Sequence, residues 1–125
     1  MTEPEKNASL YGPLTLAYLG DAVFELFVRE RLVAQGSMPA AKFRSGATDY
    51  VSAHAQSDFY EKIKNLLNEE EDAVFRRGRN CGAHGNKNTD PAEYARATGL
   101  EAVFGYLWLS KNEARARELF EEMTK

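Results

Sequence analysis

Two carboxylates in this chain stand where carboxylates are costly. From Leu14 to Val28 a helix would be apolar nearly all round, and only Asp21 and Glu25 carry charge; from Ala97 to Leu109 the single charge is Glu101. An ionised carboxylate taken out of water without a partner is unfavourable, so each of these needs an arginine or a metal cation. Arg29, Arg31 and Arg96 are the candidate arginines. The other solution is that Asp21 and Glu101 meet across two packed helices and share a divalent cation. Two carboxylates about 5 Å apart repel by roughly 3 kcal/mol at an effective dielectric of 20, and a hard cation removes that repulsion. Magnesium commonly takes one or two carboxylates and completes its shell with water and phosphate oxygens. Such a site does metal-assisted phosphodiester chemistry. Glu25, one turn after Asp21, is read as the salt-bridge partner of Arg29 at the favourable four-residue spacing, with support of the metal ligands as its other possible role.

The elements that must position these groups are helical. No stretch alternates apolar and polar residues long enough for a strand. One long helix is predicted from Leu14 to about Ala34, entered at Pro13 and ended by Gln35-Gly36. A second opens at Pro39 and runs to about Ala55, and a third covers about Gln56 to Leu67. Asn68 caps a fourth, with Glu69, Glu70 and Glu71 in the first turn, where the helix dipole favours negative charge. The segment from Gly78 to Asn88 is rich in glycine and asparagine and reads as a loop. Asp90-Pro91-Ala92-Glu93 is a capping box for a helix to about Leu109, and Ser110 to Glu113 is a second, for an amphipathic helix ending near Met123. The expectation is one all-α domain over residues 1–125, built from five to seven helices.

Composition narrows the function classes. With 125 residues, 43% hydrophobic and 28% charged, the chain is neither disordered nor a disulfide scaffold. Cys81 is the single cysteine, Met1 to Asn7 has no apolar secretory region, and no apolar run reaches membrane-spanning length, so a cytoplasmic protein without membrane attachment is expected. The net charge of −3 argues against a non-specific nucleic-acid coat, yet charge is segregated. From Ala73 to Thr89 there is no carboxylate, while Arg76, Arg77, Arg79 and Lys87 are all positive. This stretch is a local basic patch that the average charge hides. The competing reading pairs the arginines with the acidic run Glu69 to Asp72. Lys42 and Arg44 read as a solvated face, as do Glu118, Glu121 and Glu122. Tyr11, Tyr50, Phe59, Tyr60, Phe75 and Trp108 read as core. Cys81 and His84 have half a zinc-site spacing, but only His54 could add to them. No phosphate-binding glycine loop or nucleophile elbow is present.

The segment Leu16-Ala-Tyr-Leu-Gly-Asp-Ala-Val-Phe-Glu-Leu26 resembles the signature helix of the ribonuclease III catalytic domain, and Leu100-Glu-Ala-Val-Phe-Gly-Tyr-Leu-Trp-Leu109 is similar to that family's second acidic helix. The resemblance covers essentially the whole chain and is nearest to the short Mini-III subgroup, whose own loop Arg77-Gly-Arg-Asn80 and Asn86 to Asp90 resemble. It implies a ribonuclease III-like helical fold without a double-stranded-RNA-binding domain. It further implies a homodimeric, magnesium-dependent endoribonuclease that cuts double-stranded RNA and leaves 5′-phosphate and 3′-hydroxyl ends. Asp21 and Glu101 match the metal-associated catalytic carboxylates, and Tyr18 falls where the family places an aromatic that docks into the partner subunit. Arg76, Arg77, Arg79, Asn80 and Lys87 would bind the RNA, with the stem of the 23S ribosomal RNA precursor as target and a ribosomal protein as a possible further partner. Two further family carboxylates are replaced here by Ala17 and Thr98, one turn before Asp21 and Glu101 respectively. That leaves one acid per helix and makes a second metal ion less expected. It also keeps open a non-catalytic RNA-binding or ribosome-assembly module on the same fold. A nucleotide pyrophosphohydrolase using Glu69 to Asp72 is a third reading.

Overall fold

A computed structural model describes residues 7–82, 85 and 88–125. Among them there is no strand. After a 3-10 turn at Ala8–Leu10 come six helices: α1 (Pro13–Val33), α2 (Ala40–Val51), α3 (Ala53–Ile63), α4 (Glu69–Arg79), α5 (Pro91–Leu109) and α6 (Glu113–Met123), with a second 3-10 turn at Lys64–Leu66. The all-α expectation and its helix count hold. The central element is α5, which packs against α1, α3, α4 and α6, while α2 lies across α1 and α3.

Local chemistry sets most boundaries. Pro13 sits in the first turn of α1, and Gly36, with φ of 115°, adopts the left-handed backbone that follows the helix. Asn68 accepts from the Glu71 N–H at 2.8 Å while the Glu71 carboxylate accepts from the Asn68 N–H at 2.9 Å, a complete capping box. Asp90 caps α5 by accepting from Ala92 and Glu93.

Four expectations need correction. Pro39 lies just outside α2, and the second helix stops at Val51: Ser52 is extended and its hydroxyl caps Ala55, so α3 begins at Ala53. Gly78 and Arg79 belong to α4, not to a loop. The glycine is there for contact, since a Cβ on it would lie 2.9 Å from the Cα of Gly99 on α5. The last helix is capped by Asn112, which accepts from the Arg115 N–H at 3.2 Å, because Ser110 finishes α5 and is not free to start α6. The fourth concerns α1, which is not buried all round. Leu16, Gly20, Val23, Phe24, Phe27 and Val28 face the core, but Leu14, Tyr18, Leu26 and Val33 form an exposed apolar stripe, Tyr18 being 85% exposed.

An aromatic cluster locks α1, α5 and α6 together. Phe24 and Phe27 each meet Phe104 and Phe120 edge to face, with ring centroids 5.5 to 6.1 Å apart. Of the aromatics expected in the core, Phe75 is fully buried, while Tyr11, Tyr50, Phe59, Tyr60 and Trp108 are partly buried against it. The base of α4 is held by Arg115, whose guanidinium grips both oxygens of buried Glu71 at 2.9 Å and donates to the Leu66 carbonyl at 2.6 Å. Burial pushes the Glu71 carboxyl up, but Arg115 and the Asn68 N–H outweigh it and hold the group below its ordinary range.

Candidate active site

The crossing of α1 and α5 builds the site. At Gly20 a Cβ would lie 1.6 Å from the Glu101 carbonyl oxygen, and at Gly105 one would lie 1.9 Å from the Leu16 carbonyl oxygen. Only glycine at both positions lets the backbones touch. Asp21 follows Gly20, and Glu101 lies one turn before Gly105, so this contact brings the two acids together across the helix pair.

Asp21 and Glu101 come within hydrogen-bonding reach of each other, Asp21 on the open side and Glu101 largely covered. Burial pushes the Glu101 carboxyl up, the hydrogen bond and negative charge of Asp21 push it further, and it titrates at about 8. Near neutral pH the pair therefore holds a proton that any cation must displace. Gln56, on α3, is a residue the sequence reading missed. It is buried and turns toward Glu101, favouring the ionised form, yet its Nε2 makes no hydrogen bond of normal geometry. Its position was readable: Gln56, Phe59, Tyr60 and Ile63 share one face of α3 at three- and four-residue spacing, so the glutamine lies on the buried stripe.

No arginine neutralises this pair among the described residues. Arg29 pairs with Glu25 at 2.7 Å, as its spacing predicts. Arg31 pairs with Glu121 at 3.0 Å, and Arg96 donates to the Ser57 hydroxyl at 2.6 Å. The donors at the site are two carboxylates and an amide with an unmet N–H. All the available ligand atoms are hard oxygens, as magnesium requires, and the residues fit a divalent ion held by Asp21 and Glu101. Among the described residues no third acidic, histidine or cysteine side chain joins them. Ala17 and Thr98 are buried, and Thr98 spends its hydroxyl on the Tyr94 carbonyl at 3.0 Å. Neither replaces the missing acid.

The other sequence candidates lie apart from the carboxylates. Arg76, Arg77 and Arg79 occupy the last turn of α4, where positive charge complements the helix dipole, and Asn80 caps it. Arg76 pairs with Asp72 at 3.1 Å. Arg77 is engaged with the chain before α1, donating to the Ser9 carbonyl and, at 2.9 Å, to that of Tyr11. Arg79 donates to the Asn80 side chain at 3.1 Å and lies over the Phe75 ring. The competing reading, that these arginines pair with the acidic run, holds among the described residues for Arg76 alone. Lys87 and His84 lie outside the described residues. Cys81 is half-buried and free. Lys42, Arg44, Glu118 and Glu121 are exposed, and Glu122 is partly covered.

The model of the ribonuclease III domain matches residues 14–112, and the chain belongs to that family of endoribonucleases. Within it the chain is similar to the Mini-ribonuclease 3 proteins. It is 47% identical over 110 residues to that of Symbiobacterium thermophilum, covering 87% of this chain and 85% of the relative. It is 41% identical over 109 residues to that of Clostridium tetani, covering 86% and 72%. A crystal structure of a protein from Fusobacterium nucleatum superposes with a TM-score of 0.83 at 32% identity and covers 94% of each chain. No described helix is long and apolar enough to cross a membrane.

Proposed function

We propose that this protein is a magnesium-dependent endoribonuclease that cuts double-stranded RNA, and that its target is the base-paired stem of the 23S ribosomal RNA precursor. The observation that carries the reading is the Asp21–Glu101 pair, brought together by two glycines and left without an arginine. A purely structural role would have recruited a cation from the chain itself. Asp21 and Glu101 would hold the metal ion. When bound, such an ion would polarise the phosphate and lower the pKa of a bound water; attack of that water on phosphorus with departure of the protonated 3′-oxygen would leave 5′-phosphate and 3′-hydroxyl ends.

The residues around the pair have definable tasks. With a cation bound Glu101 would be ionised, and Gln56, whose Nε2 has no partner, would donate to that carboxylate. The packed α1–α5 crossing fixes the distance between the acids, so little reorganisation is left for the reaction. Arg76, Arg77, Arg79, Asn80 and Lys87 would orient the duplex through its phosphates. The exposed stripe Leu14, Tyr18, Leu26 and Val33 would be the homodimer face, with Tyr18 inserted into the partner. The dimer would present one site to each strand. A ribosomal protein that shapes the precursor would be a further partner, and the place of action would be the cytoplasm.

The test is a gel assay on a perfect RNA duplex and on a precursor stem, each with magnesium and with chelator. Magnesium-dependent cuts in both strands, absent in Asp21→Asn at unchanged fold, are the expected result. Binding of both RNAs without cuts would replace the reading with a non-catalytic module, and full activity of Asp21→Asn would remove Asp21 from the chemistry. Hydrolysis of free nucleotides with duplex left intact would favour a pyrophosphohydrolase.

A further inference from the structure

A second cationic feature comes from three separated parts of the chain. Between the end of α3, the C-terminus of α4 and the first turns of α5 runs an open groove of about 510 Å³. Its rim carries Lys64, Arg79 and Arg96, with Asn80 beside them and Glu61 as the one lining carboxylate. Glu61 is taken by Lys64 at 2.7 Å. Arg79 and Arg96 make their hydrogen bonds to neutral groups, the Asn80 side chain and the Ser57 hydroxyl, and neither forms an ion pair among the described residues. Tyr60 also lines the groove; its ring stacks on Phe75 with centroids 3.8 Å apart, and Arg79 covers the other partner of that stack.

These features fit a nucleic-acid backbone. Guanidiniums bind phosphate oxygens with fixed planar geometry, and a phenol on a rigid stack offers a hydroxyl to a phosphate or a ribose 2′-hydroxyl; the Arg96 charge also acts on Glu61. The Ser57 hydroxyl that receives Arg96 adjoins Gln56, which faces Glu101.

We propose that the groove bounded by Lys64, Arg79 and Arg96 and lined by Tyr60 is a subsite for the phosphate backbone of an RNA duplex. The proposal rests on the nuclease reading above and adds Lys64, Arg96 and Tyr60 to the RNA-binding surface. It is read in two ways, as cleavage kinetics on a labelled RNA duplex and as salt-dependent binding of that duplex to Asp21→Asn with chelator present. Arg96→Gln and Lys64→Gln should each raise KM with kcat unchanged, and each should reduce the slope of log affinity against log salt by about one. Arg96→Lys, which keeps the charge, should recover most of the slope. Should Arg96→Gln fail to fold because the Ser57 bond is lost, Lys64→Gln and Arg96→Lys decide. Unchanged KM and salt slope in the folded variants would overturn the subsite. A fall in kcat alone would overturn it too, since Arg96 would then act through Ser57 and Gln56. A wild-type enzyme that leaves the duplex uncut would defeat the functional reading instead, and the binding slopes would still judge the groove by themselves.

Discussion

Replacing Glu101 by glutamine should make the metal-free protein more stable as pH rises, while removing its activity. The Glu101 carboxyl titrates at about 8 in the folded chain against an ordinary 4.5, first because it is buried and then because Asp21 faces it. A folded-state pKa above the unfolded one means a contribution that is complete below 4.5 and is lost as pH rises to about 8. At 1.36 kcal/mol per pH unit the loss is about 3 kcal/mol at pH 7 and on the order of 5 kcal/mol above pH 8. Glutamine has the same shape and no proton to lose. The assay is urea unfolding of wild type and Glu101→Gln at fixed protein concentration, in chelator, at pH 5, 7 and 9. His54, whose pKa is raised by its hydrogen bond to Glu93, changes stability in the same direction, but it is present in both proteins and cancels in the difference. The variant should gain on wild type by several kcal/mol between pH 5 and 9, and magnesium at pH 9 should narrow the gap by stabilising wild type alone. A difference that stays constant with pH would refute the claim that this carboxyl is held protonated by burial and by Asp21.

Three further outcomes follow from the packing. Gly20→Ala should destabilise by about 3 kcal/mol and abolish cleavage, because its methyl would overlap the Glu101 carbonyl and force α1 off α5; an active protein with unchanged thermal midpoint would contradict that contact. Arg115→Met should cost about 3–5 kcal/mol in chemical denaturation at pH 7, since Glu71 is left buried and unpaired. That loss should shrink as pH falls through and below 4.5, where Glu71 takes up a proton; a loss independent of pH would mean the pair is not its source. Tyr18→Lys should turn a dimer into a monomer in sedimentation without loss of helix content, and an unchanged oligomeric state would assign the exposed face of α1 to something else.

What the chain states locally, it states well. Asn68 with Glu71, Asp90 with Pro91, and Pro13 with Gly36 mark helix ends through hydrogen bonds and torsions within a few residues, and the structure follows them. The acids Asp21 and Glu101 were equally conspicuous, because charge on an apolar helix is rare enough to demand a partner. Where the local signal was ambiguous, tertiary contact decided. Gly78 reads as a loop residue but serves a helix crossing, and Ser110 reads as a cap but is consumed in finishing α5. The outer face of α1 looked like core and is solvent-exposed, since apolarity alone does not say whether the covering surface comes from the same chain. The arginines gave no hint of their destinations: Arg76 goes to Asp72, Arg77 straps the segment before α1, and Arg96 reaches Ser57. Gln56 and the Arg79–Arg96 groove join residues that are far apart in sequence, and only the packing of α3 and α4 on α5 brings them together. Residue type and helical period therefore determined which groups could do chemistry; the close approach of backbones at Gly20 and Gly105 determined that Asp21 and Glu101 stand together.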